Sequence, residues 1–202
     1  MKKILKYFLI KYNIISENTF TRMRKHLVRV VCDEEIIKYL HSIDCKNLET
    51  LEISGNRWKK IINSEKYDTL SYPDIDLEKK TEHLKKYDVI ILEHILEHVS
   101  NPRLALINIF KLLKSSGRVI IVTPFLIKTH NAPIDCTRWT KNGLKNLLQQ
   151  IGFEKNNITV GQWGNRSAVI ANFKTWVKYN PLKHSLNNEE NFPVVVWAFA
   201  QK

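Results

Sequence analysis

Glycine is scarce: the 202 residues hold six. No segment carries the G-x-G-x-x-G set that lets a dinucleotide pyrophosphate approach the backbone, so that standard fingerprint is excluded. Cysteine is scarcer. Cys32, Cys45 and Cys136 are odd in number, scattered, and without metal-ligand spacing. That excludes a disulfide framework and points to free thiols in a reducing, cytoplasmic setting. No apolar run approaches the ~20 residues that a membrane span needs. The opening MKKILKYFLIKYNII is broken by Lys6 and Lys11, and no small-residue cleavage site follows, which argues against a signal peptide. It reads as a basic amphipathic helix, packing on the domain or a partner, with peripheral membrane contact as the alternative. Acidic residues are outnumbered, 20 against 32 basic, for a net charge of +12. A nucleic-acid partner is the sharp reading. The lysines, however, are spread along the chain with no dense basic run between aromatics. A solvated lysine-rich surface is favoured, and an anionic acceptor stands between the two.

What is present is a core. The apolar fraction is 44%, enough for one domain, residues 31–202, behind a basic helical extension, residues 1–30. The most informative stretch is Tyr87–Phe125, YDVIILEHILEHVSNPRLALINIFKLLKSSGRVIIVTPF. Val89–Leu92 is a continuous apolar run, as in a strand buried on both faces. Asn101-Pro102 starts a helix, and Leu106, Ile109, Phe110 and Leu113 repeat at helical spacing. Gly117 is expected to stop that helix. Arg118–Thr123 is a second buried strand, closing a parallel βαβ unit. Elsewhere, Asp33 is read as the cap of a helix to Ile43. Leu48–Ile53 and Tyr67–Ser71 read as strands, with a short helix or loop at Arg57–Lys66 between them. Thr140 caps a helix over Lys141–Ile151 that Gly152 stops. Ile158–Gly161 reads as a strand, Ala168–Tyr179 as a helix with Trp176 on its apolar face, and Phe192–Ala200 as the last strand. Strands alternating with helices define an α/β fold with a largely parallel sheet.

Ligands of such sheets sit beyond the carboxyl ends of the strands. Three groups of residues fall there. Glu52 ends the first strand and Ser54-Gly55-Asn56 follows, where glycine permits close approach to the main chain. Glu93, His94, Glu97 and His98 follow the strand at Val89–Leu92. The spacing H-x-x-E-H resembles an inverted zinc-protease motif. That reading is set aside, and no metal is assigned, because the motif directly follows a buried strand and no third ligand is identifiable. Finally, His130, Asp135, Arg138 and Trp139 share one polar loop. Asp135 and Arg138 can pair, and a histidine near its reference pKa can take a proton from a hydroxyl.

These residues resemble class I S-adenosylmethionine-dependent methyltransferases of the small-molecule type. The E-H-V step, the spaced N-P, the L-K-x-x-G before a strand and the closing T-P carry the likeness, together with TRWTKNGLKNLLQQIGFE; it covers roughly Leu48–Glu154. The resemblance implies a Rossmann-like, seven-stranded, mostly parallel sheet of order 3-2-1-4-5-7-6, with helices on both faces and strand seven antiparallel. It implies S-adenosyl-L-methionine as cofactor, with Glu52, Ser54, Gly55 and Asn56 in the cofactor loop. Ser71 would stand at the ribose position, with Tyr72, Asp74 or Asp76 as substitutes, and Asp76 also falls near the adenine. Glu93 and His94 would lie beside the methionine part. The loop reads E-I-S-G-N where the family reads E-x-G-x-G-x-G, and Ser71 replaces a carboxylate. The expected activity is methyl transfer to an oxygen, secondarily a nitrogen, of a small polar acceptor of anionic or sugar character. His130 is the expected base, and Asp135 and Arg138 organise the loop. A binding or scaffold protein without catalysis is the alternative. A nucleic-acid substrate is disfavoured, because Glu93-His94-Ile95-Leu96 stands where base-flipping enzymes carry Asn/Asp-Pro-Pro-aromatic.

Overall fold

The computed structural model describes residues 16–81, 85–131 and 133–202. The helix expected at residues 1–15 lies outside them. In order, the described elements are α1 (Glu17–Met23), α2 (Val30–Ser42), β1 (Thr50–Ile53), α3 (Lys59–Ile62), β2 (Tyr67–Leu70), β3 (Tyr87–Glu93), α4 (Pro102–Leu112), β4 (Leu113–Pro124), α5 (Lys141–Ile151), β5 (Ile158–Trp163), α6 (Arg166–Asn172) and β6 (Val195–Gln201). Short 3-10 turns fall at Leu27–Arg29, Leu96–His98 and Lys155–Asn157.

One sheet organises these elements, in the order β2-β1-β3-β4-β6-β5. The first four strands run parallel; β6 is antiparallel to both β4 and β5. This is the Rossmann-like arrangement that the resemblance implies, with six strands among the described residues instead of seven. The missing strand is the outer neighbour of β2. The chain that would supply it turns inward: Ile75 and Leu77 are buried in the core. The side-chain amide of Asn108 on α4 donates to the carbonyls of Leu77 and Lys79, both at 2.8 Å. Backbone groups held by a side chain in this way have no need of a ladder partner.

The pleat of β3 sorts the core into two layers. Ile90 and Leu92 pack with Leu106 and Ile109 of α4 and Leu144 and Leu148 of α5. Val89 and Ile91 face the other way, onto Ile36 of α2, Trp58 and Trp163. Alternate residues of a strand point to opposite faces, so an apolar run of this length is buried on both. Leu27, Val28 and Val30, from the segment read as an extension, are buried in this second layer.

Local signals account for most element ends. Asn101 accepts from Leu104 N at 3.0 Å, and Pro102 opens α4. Thr140 accepts from Gly143 N at 3.0 Å, and Gly152 follows α5. Three expectations are corrected. Gly117 does not stop α4, which ends at Leu112; it sits in an irregularity of β4, where a Cβ would fall 2.9 Å from the Lys114 carbonyl. Asp33 is not a cap. It lies inside α2, 1% exposed, and pairs with Arg57 and with Lys25. The helix expected over Ala168–Tyr179 runs from Arg166 to Asn172, leaving Trp176 beyond its end.

Candidate active site

β1 and β3 are neighbours, with Glu52 opposite Ile91, so their carboxyl ends share one rim. Ser54 extends that rim toward β2 through its N–H on the Leu70 carbonyl at 2.8 Å. Counting the pattern E-x-G-x-G-x-G from Glu52 places its glycines at Ser54, Asn56 and Trp58. Ser54 keeps the left-handed conformation, φ 58°, that a glycine adopts freely and other residues adopt at a cost of about 1–2 kcal/mol. Glu52 is buried beneath the loop. Its carboxylate accepts from Arg57 N at 3.1 Å and Trp58 N at 3.2 Å, and from the Tyr67 hydroxyl. Burial, reinforced by Glu52, raises the Tyr67 pKa. A Cβ at Gly55 would fall 2.5 Å from Glu52 Oε1. Gly55 is therefore required for the loop to close over Glu52, whose charge holds the loop from below.

Trp58 does not block the rim. Its ring is 1% exposed and belongs to the layer under α2, while Ser54 and Asn56 remain exposed. The indole N–H donates to Glu93 Oε2 at 3.0 Å. Glu93 also receives Arg29 and Arg57, and Arg57 reaches on to Asp33. Burial opposes the charge of Arg57, but Asp33 and Glu93 outweigh it and raise its pKa. Sequence reasoning found Glu93 and missed Arg29, Arg57 and Trp58. No local signal marks them, because they stand 64, 36 and 35 positions away.

The remaining cofactor candidates follow β2. Ser71 is half-buried and Tyr72 is 76% exposed. Tyr72, Asp74 and Asp76, with Lys79 and Thr81, line a hollow of about 210 Å³. The donor set along the rim fits an amino-acid nucleoside. Guanidinium and carboxylate groups of the kinds such a ligand needs are present at Arg29, Arg57 and Glu93, paired there with one another, and Ser71, Asp74 and Asp76 bring hydroxyl and carboxylate groups after β2.

A second hollow, of about 240 Å³, opens beside the end of β3. Its lining includes His26, Val28 and Arg29 from the N-terminal side, His94, His130 and Trp176. His94 sits at φ 55°, with its N–H on the Val122 carbonyl at 2.9 Å. His130 packs edge-on against His98 and Trp176, with ring centroids 4.8 Å and 5.6 Å away. Burial, together with the nearby His98, lowers the His130 pKa and favours its neutral form.

Asp135 and Arg138 belong to the same loop and pair with each other. Asp135 also accepts from His130 N at 2.8 Å. Burial works against its ionised form, yet Arg138 and the His130 amide lower its pKa. Neither residue lines the hollow; together they hold the loop that presents His130. The loop is pinned further by Cys136 N on the Glu97 carbonyl at 2.7 Å.

A family model described as a methyltransferase domain matches residues 41–158, more than half of the chain. Solved structures agree on the fold. A SAM-dependent methyltransferase from Archaeoglobus fulgidus superposes with a TM-score of 0.54 at 14% identity, covering 97% of this chain and 99% of that one. An S-adenosylmethionine-dependent methyltransferase from Mesorhizobium loti gives 0.55 at 13% identity, covering 82% and 96%. The plantazolicin methyltransferase BamL, in complex with a triazolic desmethyl analogue and SAH, gives 0.52 at 10% identity, covering 97% and 93%. No curated protein matches the sequence. The chain belongs to the methyltransferase-domain family. It is a class I S-adenosylmethionine-dependent methyltransferase.

Proposed function

We propose that the enzyme methylates an oxygen, secondarily a nitrogen, of a small polar acceptor bound in the hollow between His94 and His130. The observation that carries this reading is the position of that hollow. It opens at the carboxyl end of β3, beside Glu93, with a neutral histidine in its wall. Ligands of open α/β sheets sit at such ends. When bound, S-adenosylmethionine supplies an electrophilic methyl group on its sulfonium.

The chain's own residues do the rest. Arg29, Arg57 and Glu93 hold the amino-acid end, and the Ser54–Asn56 backbone lies under the nucleoside. Ser71, Tyr72 and Asp76 meet the ribose and base. Trp176 and Val28 shield the acceptor from water. His130 takes the acceptor proton at Nε2, and Glu97, 3.7 Å from that atom, stabilises the imidazolium. Asp135 and Arg138 position the loop. In-line displacement needs alignment above all, and a fixed loop contributes it. The arginines and the net charge of +12 support an anionic or sugar-like acceptor. The three cysteines are free, which supports a cytoplasmic setting. No described helix is long and apolar enough to cross a membrane.

The test is transfer of a tritiated methyl group to panels of hydroxylated sugars and small acids, with SAH binding followed by calorimetry. His130→Ala should lose at least a hundredfold in transfer while SAH binding is retained. Neither binding nor transfer in the natural protein would return the chain to the scaffold reading.

A further inference from the structure

Glu97 is 0% exposed, and among the described residues neither of its carboxylate oxygens has a hydrogen-bond partner. A buried carboxylate left so is costly unless something cationic completes it. Around Oε1 stand His94 Nδ1 at 3.4 Å, His130 Nε2 at 3.7 Å and His98 Nε2 at 3.8 Å. None of the three makes a hydrogen bond to the carboxylate.

The tautomer of His98 sharpens the point. Its Nδ1 faces the Ile134 carbonyl, which can only accept. Nδ1 therefore carries the proton, and in the neutral ring Nε2 turns a lone pair toward the carboxylate. Two lone pairs facing across such a gap repel unless a proton or a metal ion lies between them. A second ring nitrogen held by a backbone carbonyl is also the usual support of a metal-binding histidine.

We propose that Glu97, His98 and His130 form a binding site for a divalent first-row transition metal ion, zinc being the best match, open toward the hollow. One ligand atom from each lies within 4.8 Å of the others. Ligands about 2.0–2.1 Å from a tetrahedral zinc ion stand roughly 3.3 Å apart, so a small rotation of two exposed-side rings closes the set. Two imidazoles and one carboxylate leave a fourth position, for His94 or for the acceptor. The third ligand that the sequence lacked comes from the loop pinned by Asp135.

An acceptor hydroxyl on that fourth position would lose its proton to solvent through the hollow, because the cation lowers its pKa. Its oxygen lone pair would then form the new C–O bond as the C–S bond breaks. With the ion bound, His130 Nε2 is a ligand, so its general-base role belongs to the metal-free protein alone. This role rests on the hollow being the acceptor site; the ion binding itself does not.

The experiment uses full-length protein without a polyhistidine tag, stripped with EDTA and titrated with cobalt(II), then zinc. Visible absorption and calorimetry give the readouts. One cobalt ion per chain should produce intense tetrahedral bands that zinc displaces. His130→Ala and Glu97→Gln should each weaken binding at least tenfold, and His184→Ala, a histidine outside the cluster that pairs with Asn180, should not. No bands at one equivalent, or an affinity in His130→Ala and His98→Ala unchanged from the natural protein, would overturn the site. His130 and His98 are partly exposed, so those variants serve even where Glu97→Gln misfolds. SAH binding by the same stripped protein separates the failures. SAH bound without metal sinks only this inference; neither bound sinks the methyl-transfer reading as well.

Discussion

Trp58 donates its indole N–H to Glu93 Oε2 at 3.0 Å. That bond ties the loop after β1 to the end of β3, the two edges between which the proposed cofactor site lies. Trp58→Phe keeps the ring and removes the donor. Hydrogen bonds to charged groups contribute about 1.5–3 kcal/mol. The expected result is a stability lower by an amount of that order, read as a lower urea midpoint at an unchanged m-value.

Arg57 is shared between Glu93 and Asp33. Arg57→Gln leaves Arg29 as the guanidinium at the rim. SAH affinity should fall about tenfold, or about 1.4 kcal/mol. Calorimetry at two salt concentrations checks this, and the loss should shrink at high salt.

The loop at Gly55 has no room for a methyl group, since a Cβ meets Glu52 Oε1 at 2.5 Å. Gly55→Ala should destabilise by about 1–3 kcal/mol through overpacking. It should also weaken SAH binding, because the loop must lift off Glu52. Thermal melts with and without SAH separate the two effects.

Asp135 has its pKa lowered in the fold, burial being outweighed by Arg138 and the His130 amide. Its contribution to stability is therefore complete above the unfolded value of about 3.9 and is lost as pH falls through the lower folded value. Melts between pH 2 and 7 should show this loss in the natural protein. Asp135→Asn should start lower at neutral pH and have a shallower acid limb.

The parts legible in the sequence were those set by neighbours along the chain. Thr140 and Gly152 bracket α5 as read, because a cap is a contact over three residues. The run Tyr87–Pro124 gave a strand, helix and strand, because burial on both faces leaves a continuous apolar signature. Gly117 misled because a glycine after a helix and a glycine in a strand irregularity look alike in one dimension. Trp176 extended an apolar period past Asn172, yet its ring lies against His130 in the hollow. The site was half legible. Glu93, His94 and His130 sit where the strand ends put them, but Arg29 and the meeting of His130 with Glu97 depend on the folded chain alone.

The strand β6 lies between β4 and β5, although both of them precede it in the chain. As the polypeptide leaves the ribosome, the edge of β4 from Arg118 to Pro124 waits with its amides and carbonyls unmated until residues 195–201 appear. Open strand edges invite pairing with other chains. Through the interval between those two segments of synthesis, that edge stays open to such pairing.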